Sequence, residues 1–345
     1  MRQRTLTTCV EASAPCRVDL GGTLDLASLY LPLQHVDPAT FNIALDMRTK
    51  VKISPWEKGG VKIASRGFTP CEAPSKALPF SHPMGLMFGV VSFFGADGVL
   101  VEIDSASPPR SALGGSSVAA VALVAAFLNA FEGVNNGLEL QTRSACIAQA
   151  VESAVAGVVC GIQDQMAAAH AGISLWRWRA EMEPLRVEVL SEPNATDLSD
   201  HLAVAYCGIP HDSLDINGRW VRGFLSGEQR EPWYDIAEIT HEFAAAFKCK
   251  AWDKAALLMN RETDIRCNLT PDVLDPVGQQ LVAAAREEGC GARFTGAGGG
   301  GCLWALGEDE PMVRTRHQWQ EILAKTDEGR LLSSQIAWKG VVLHL

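Results

Sequence analysis

The sequence predicts a two-domain α/β (α+β) protein with a cleft between its halves. Three observations carry this. At 345 residues the chain is long for one hydrophobic core. Hydrophobic residues make up 47% and charged residues 20%, the profile of a compact globular chain. Mixed strands and helices give way near Ser191 to Ser199 to a mainly helical second part, which sets the expected domains at 1–195 and 196–345.

The elements follow from local pattern. Alternation through Thr7, Cys9 and Glu11, then Cys16, Val18 and Leu20, reads as strand, closed by Gly21-Gly22. Phe41 to Leu45, Thr49 to Ile53 and Val61 to Ile63 read as further strands, and Thr69 to Pro83 as a Pro- and Gly-rich loop. A short helix over Pro83 to Phe94 and a strand over Gly98 to Ile103 precede two long helical patterns, Ser117 to Phe131 and Leu138 to Val155. Strands are expected at Ile173 to Trp178, Leu185 to Leu190 and Leu202 to Tyr206. Helices are expected over Trp233 to Phe247, Ala251 to Thr263, Pro271 to Glu288 and Pro311 to Ala324. Strands Ala292 to Thr295, Cys302 to Leu306 and Gly340 to Leu345 complete the reading.

Bulk properties exclude several function classes. A net charge of −10 argues against nucleic acid or an acidic membrane surface as partner. An anionic ligand must then be held by local groups such as helix ends and a few arginines. The ten cysteines show no C-x-x-C pair and no zinc-finger spacing, so free thiols in a reducing cytosol are expected. Met1 to Ala14 lacks a signal-peptide core, and the longest apolar run, Val118 to Leu128, is too short to span a bilayer. The expected location is cytoplasmic.

Pro108-Pro109-Arg110-Ser111-Ala112-Leu113-Gly114-Gly115-Ser116-Ser117 runs into the apolar stretch from Val118. A helix start offers unpaired N–H groups and partial positive charge, glycines allow close approach, and serines can cap or ligate. The segment therefore reads either as a phosphate cradle or as an ordinary capped core helix.

Gly296-Ala297-Gly298-Gly299-Gly300-Gly301 satisfies G-x-G-x-x-G, which invites a nicotinamide-dependent oxidoreductase. Cys302 to Leu306 is strand-like, not the helix that a dinucleotide site requires, so that reading fails on context. No G-x-x-x-x-G-K-[ST] occurs anywhere. A glycine run between strands fits a tight loop approached closely by a helix end or a ligand.

Asp164, within Cys160 to Met166, stands at a helix start, where it can cap the helix or accept a proton from a hydroxyl. Glu152 lies beside the apolar positions Ala148, Val151 and Val155 of its helix, on a solvated face or in a magnesium site. Arg17 on the first strand is either a surface ion-pair partner or, near Asp164, a group that holds the carboxylate charged.

Three motifs together resemble the galactokinase, homoserine kinase, mevalonate kinase and phosphomevalonate kinase (GHMP kinase) superfamily. These are Ala14 to Gly22, Pro108 to Ser117 and Gly291 to Gly301, in the family's order. Within it, Ile162-Gln163-Asp164-Gln165 and Gly21-Gly22-Thr23-Leu24-Asp25 are similar to sugar kinases, nearest the D-glycero-D-manno-heptose 7-phosphate kinases. The resemblance implies an N-terminal domain like domain 2 of ribosomal protein S5 and a ferredoxin-like C-terminal domain.

It also implies an ATP- and Mg2+-dependent kinase of a sugar or sugar phosphate. Asp164 and Arg17 would be catalytic, and Ser116 and Glu152 would hold Mg2+. Pro109, Leu113, Gly114, Gly115, Ser116, Ser117, Gly298 and Gly299 would bind ATP, and Gly22, Thr23, Asp25 and Gly296 the acceptor. Arg110, Arg261 and Arg266 are candidates for gripping an acceptor phosphate. Ala112 and Gly115 depart from the motif's usual glycine and serine, and Ala112 is restricted if its position needs a positive φ. Alternatives are galactokinase, a mevalonate or homoserine type, or a non-catalytic nucleotide- or sugar-binding protein of the same fold. Homodimerisation stays open.

Overall fold

Alternating apolar positions in the first third build one large sheet. A computed structural model describes residues 3–155, 157, 159–180, 184–210 and 216–344. The strand Val10–Leu20 pairs antiparallel with Ala39–Pro55. The two strands expected at 41–45 and 49–53 are thus one. Pairing jumps from Pro15↔Arg48 to Cys16↔Leu45, so a bulge at Asp46 and Met47 absorbs the break in alternation. The halves of the strand then serve different neighbours: Ala39–Ile43 pairs with Ile173–Arg177, and Thr49–Pro55 with Val99–Ser105.

Outward from there, Gly60–Ser65 lies parallel to Val99–Ser105, and Cys71–Pro74 forms an edge strand within the expected loop. Leu185–Leu190 extends the sheet beside Ile173–Arg177. The last strand, Val342–His344, returns to pair with Val10–Leu20. A cut of the chain at 195/196 therefore does not separate the two sheets. This strand is shorter than the expected 340–345, and Leu345 lies outside the described residues.

Helix Gly115–Glu132 packs on Val10–Leu20 and Ala39–Pro55 with one face and on helix Leu138–Val155 with the other. Every residue from Ser117 to Leu128 is buried. By length and composition this helix could cross a membrane, but 67% of that window is buried inside the protein, as expected of a core helix.

The second sheet is antiparallel, in the spatial order Gly291–Phe294, Cys302–Leu306, Leu202–Tyr206, Arg330–Leu332. This is the strand order of the ferredoxin-like split βαβ arrangement. Helices Glu231–Lys248, Trp252–Leu269, Pro276–Glu287 and Asp309–Leu323 surround it. The single helix expected over 271–288 is broken after Val273, because Asp275 caps a new helix at Pro276 by accepting from the Val277 and Gly278 N–H groups. Helix Ile216–Ser226 and strand Arg330–Leu332 were not expected.

Aromatic side chains fasten the sheets together. Phe41 packs on Phe243 and Phe247, and Phe243 meets Trp304 edge to face. Among the described residues no cysteine forms a disulfide.

Candidate active site

A cleft of about 710 Å³ runs between the Pro108–Ser117 loop, the start of helix Gln163–His170 and the segment around Thr23. Helix Gly115–Glu132 begins two residues earlier than its apolar pattern suggests. Its N-cap is Gly114, at φ +77°, and no side chain caps it. The serines are not spent as caps: Ser117 Oγ instead donates to Glu152 Oε2 at 2.8 Å. Gly114 to Ser117 all line the cleft. Ala112 does sit at positive φ, +58°, so this position carries strain that a glycine would not, about 1 kcal/mol.

Asp164 lies in the first turn of helix Gln163–His170. It does not cap that helix. Arg17 Nε donates to its Oδ1 at 2.8 Å, Nη2 stands 2.7 Å from the same oxygen as an ion-pair contact, and Nη1 donates to the Ala112 carbonyl at 2.9 Å. Arg17 is only 3% exposed and Asp164 23%. Burial works against the charge on Arg17, but Asp164 and Asp19 outweigh it and raise its pKa, so the guanidinium stays charged. The surface ion pair admitted by the sequence is thus a buried one that bridges the first strand, the phosphate-type loop and the Asp164 helix. Gly114 makes the close approach possible, since a Cβ there would lie 3.0 Å from Asp164 Oδ2.

Glu152 faces the same cleft. Besides Ser117, it accepts from Gln165 Nε2 at 2.5 Å, and the Ser116 hydroxyl favours its charged form. Burial, together with the charge of Asp164, nevertheless pushes it up to about 7. Among the described residues there is no cluster of three His, Cys, Asp or Glu suited to a metal. Magnesium needs only one or two protein oxygens when phosphate and water fill its shell. Glu152 and Ser116 offer hard oxygen donors, and the buried Gln165 Oε1 beside them has no partner, an acceptor free for the protons of a metal-bound water. The residues present fit the ion.

Asp25 has a structural part besides the acceptor contact expected of it. Its Oδ2 accepts from the Ile162 and Gln163 N–H groups at 2.7 and 2.9 Å, anchoring the start of the Asp164 helix. Burial, with Asp164 adding, raises it to about 6. Asp25 and Thr23 still line the cleft, whereas Gly22 does not: its carbonyl accepts from Arg266 at 2.6 Å.

The glycine run is only partly a cleft wall. Gly296 lines the cleft, but Gly298 and Gly299 do not. Gly299 N–H donates to the Val273 carbonyl at 2.8 Å, and a Cβ on Gly298 would sit 2.5 Å from that carbonyl. At Gly301 a Cβ would lie 2.7 Å from the Ser111 backbone, and Cys302 N–H donates to the Ser111 carbonyl. The close approach that the glycines permit is made by other backbone, including the Pro108–Ser117 loop itself. Leu113, expected at the nucleotide, is buried in the core. Arg110 lines the cleft, whereas Arg261 is exposed elsewhere and Arg266 is buried beneath Thr23.

One feature of the site has no counterpart in the sequence reading. Arg293 donates to Glu262 at 2.7 Å and to Asp19 Oδ2 at 3.2 Å, and Arg266 donates to Glu262 at 2.9 Å while lying over Trp220 and Trp233. All four charged groups are buried. Asp19 Oδ1 accepts from Gly296 N–H at 2.7 Å, so the network ties the first strand to the glycine loop. Two local signals were available: Arg17 and Asp19 share a strand face at period two, and Glu262 and Arg266 stand four apart on one helix. Asn217, on the unexpected helix, lines the cleft beside Thr23 and accepts from its hydroxyl at 3.4 Å.

Comparison with known proteins identifies two domains in the chain. The family of GHMP kinases N terminal domains matches residues 85–172, and that of GHMP kinases C terminal domains matches residues 243–325. The probable glucuronokinase 2 of Arabidopsis thaliana is 26% identical over 204 residues, 58% of this chain and 55% of its own length. The chain thus spans about half the length of such curated relatives. The mevalonate kinase of Thermococcus sibiricus is 27% identical over 329 residues, 87% of this chain and 90% of its own.

Two solved structures share the fold. A D-glycero-D-manno-heptose 1-phosphate kinase from Bacteroides thetaiotaomicron has a TM-score of 0.73 at 15% identity, covering 97% of this chain and 99% of that one. The Lactococcus lactis galactokinase complexed with galactose also has a TM-score of 0.73, at 17% identity over 98% and 95% of the two chains. Carrying both the N-terminal and the C-terminal domain, the chain belongs to the GHMP kinase family.

Proposed function

We propose that this protein is an ATP- and magnesium-dependent kinase that transfers the γ-phosphoryl group of ATP to a hydroxyl of a sugar or sugar phosphate. The observation that carries the reading is the Arg17–Asp164 pair set against Gly114 at the mouth of an uncapped helix. Because both Arg17 contacts fall on Oδ1, Oδ2 of Asp164 is left to take the acceptor's proton. Arg17, held charged by Asp164 and Asp19, offsets negative charge on the group in transfer. The backbone of Gly114 to Ser117, at the positive end of the helix dipole, would cradle the phosphates. Magnesium, when bound, would neutralise the phosphate oxygens, and Ser116 and Glu152 would hold it.

In this reading positioning and electrostatics do most of the work. Residues 1–195 would carry most of the nucleotide side, and 196–345 would close the cleft through Asn217 and Gly296. The sugar-type acceptor is supported by the Ile162–Gln165 motif and by the fold shared with heptose 1-phosphate kinase and galactokinase. The test is ADP release by the purified chain with ATP, magnesium and a panel of hexoses, heptoses, their phosphates, mevalonate and homoserine. Release that depends on one acceptor class is the expected result. Binding of ATP with no acceptor-dependent release from any of them would overturn the proposal.

A further inference from the structure

The phosphotransfer reading leaves the charge of the acceptor open, and the lining of the cleft bears on it. Two groups of that lining adjoin Asp164. Gly114, which lies against its Oδ2, leads to Ser117 and Glu152; on the second side Asp25 holds the Ile162 and Gln163 N–H groups just before it, and Thr23 bonds to Asn217. An acceptor carrying a phosphate or carboxylate would need a cation on this second side, because an unpaired anion is costly to desolvate.

Among the described residues, Arg17, Arg66 and Arg110 are the cations that line the cleft. Arg17 is engaged at the reacting centre, with Nε and Nη2 against Asp164 and Nη1 on the Ala112 carbonyl, and serves the group in transfer rather than a distant part of the acceptor. Arg66 follows strand Gly60–Ser65, which is three strands across the sheet from Val10–Leu20, roughly 14 Å at ordinary strand spacing. Its Nη1 donates to the Ser105 carbonyl. Arg110 belongs to the Pro108–Ser117 loop itself, and its neighbour Pro109 packs against Gly67 next to Arg66, so both go with the phosphate-loop part of the lining.

Two nearby arginines are also committed. Arg266, beneath Thr23, is paired with Glu262 and with the Gly22 carbonyl, and Arg219 forms a two-bonded ion pair with Asp272.

The acidic groups are several. Asp25, Glu152 and Asp164 all line the cleft, three carboxyl groups whose field opposes further negative charge. A further anion would meet the same field. The side chains of Thr23, Gln163 and Asn217 offer hydroxyl and amide groups, which donate and accept hydrogen bonds without net charge.

We infer that the acceptor is electrically neutral: a free sugar or polyol held by hydrogen bonds at Thr23, Asp25, Gln163 and Asn217, with sugar phosphates and uronates excluded by charge. The inference rests on the kinase reading and narrows it to one of its two acceptor classes.

The experiment measures ADP release by the full chain with matched acceptor sets. Each set holds a free aldohexose or aldoheptose, the same sugar phosphorylated at its terminal carbon, and the corresponding uronate. The neutral member should have a kcat/KM at least about 100-fold above its anionic partners. An anionic member that equals or exceeds its neutral parent would overturn the inference while leaving the kinase reading intact. Silence across every set would overturn the kinase reading itself. Asn217→Lys, checked for an unchanged melting temperature, should shift the anionic-to-neutral ratio upward by about 10-fold. An unchanged ratio in a folded variant would remove Asn217 from the acceptor site.

Discussion

Arg17 directs Nε and Nη2 at a single oxygen, Oδ1 of Asp164, at 2.8 and 2.7 Å. The guanidinium fork thereby fixes the carboxylate with its other oxygen turned toward Gly114, while the third nitrogen ties the pair to the Ala112 carbonyl. Arg17→Met should lower kcat by about 100- to 1,000-fold, since it removes both the orientation of Asp164 and a fixed positive charge. Arg17→Lys should recover only part of this, because one ammonium cannot span both partners. Steady-state kinetics of the two variants check it; equal activity of Arg17→Met and the parent protein would contradict it.

Gly301 supports the Pro108–Ser117 loop from behind. A Cβ there would meet the Ser111 backbone at 2.7 Å, at φ +88°. Gly289 offers a control, at φ +80° with nothing within 4 Å of its would-be Cβ. Gly289→Ala should cost about 1 kcal/mol of stability from backbone strain alone and leave kinetics unchanged. Gly301→Ala should in addition displace Ser111 and raise the KM for ATP by about 10-fold. Equal KM values for the two variants would show that the glycine loop does not position the nucleotide loop.

Glu262 links stability to pH. Burial alone would raise its pKa, but Arg293 and Arg266 bring it down from 4.5 to about 2. A carboxyl depressed on folding contributes stability that is present above its unfolded pKa, near 4.5, and is lost as pH falls toward 2. Glu262→Gln should lose about 3–5 kcal/mol at neutral pH, because two buried guanidiniums lose their shared partner. The same variant should show a flatter decline of melting temperature between pH 4.5 and 2 than the parent protein. An unchanged acid profile would contradict the network's role.

In the proposed function Ser116 and Glu152 would supply the hard oxygens for magnesium. Ser116→Ala should raise the magnesium concentration needed for half-maximal activity by about 10-fold, with a smaller effect at saturating metal. Titration with magnesium at fixed ATP measures this, and a curve identical to that of the parent protein would remove Ser116 from the metal site.

The sequence makes the machinery near Asp164 legible because local motifs place it. Arg17 lies within the first strand, Glu152 stands twelve positions before Asp164, and the Pro108–Ser117 segment leads into an apolar helix. Glycines were harder to read. Sequence reveals that backbone must come close at 298–301 but not whose backbone it is, and here Val273 and Ser111 take the place of a ligand. Asp25 shows a similar limit, since an acid near the cleft turned out to hold the Asp164 helix start. The Asp19–Arg293–Glu262–Arg266 network joins residues as much as 274 positions apart, beyond the reach of any periodicity. Strand pairing likewise depends on partners: the break in alternation at Asp46 is a bulge only because Val10–Leu20 continues on both sides of it.

The central claim is that Asp164 takes the proton of a substrate hydroxyl during phosphoryl transfer. The most direct measurement is acceptor-dependent ADP release by Asp164→Asn, with ATP binding measured on the same sample. The amide cannot accept the proton but keeps the size of the side chain, so turnover should fall by at least about 1,000-fold while ATP affinity changes little. Turnover within a few-fold of the parent protein would contradict the account.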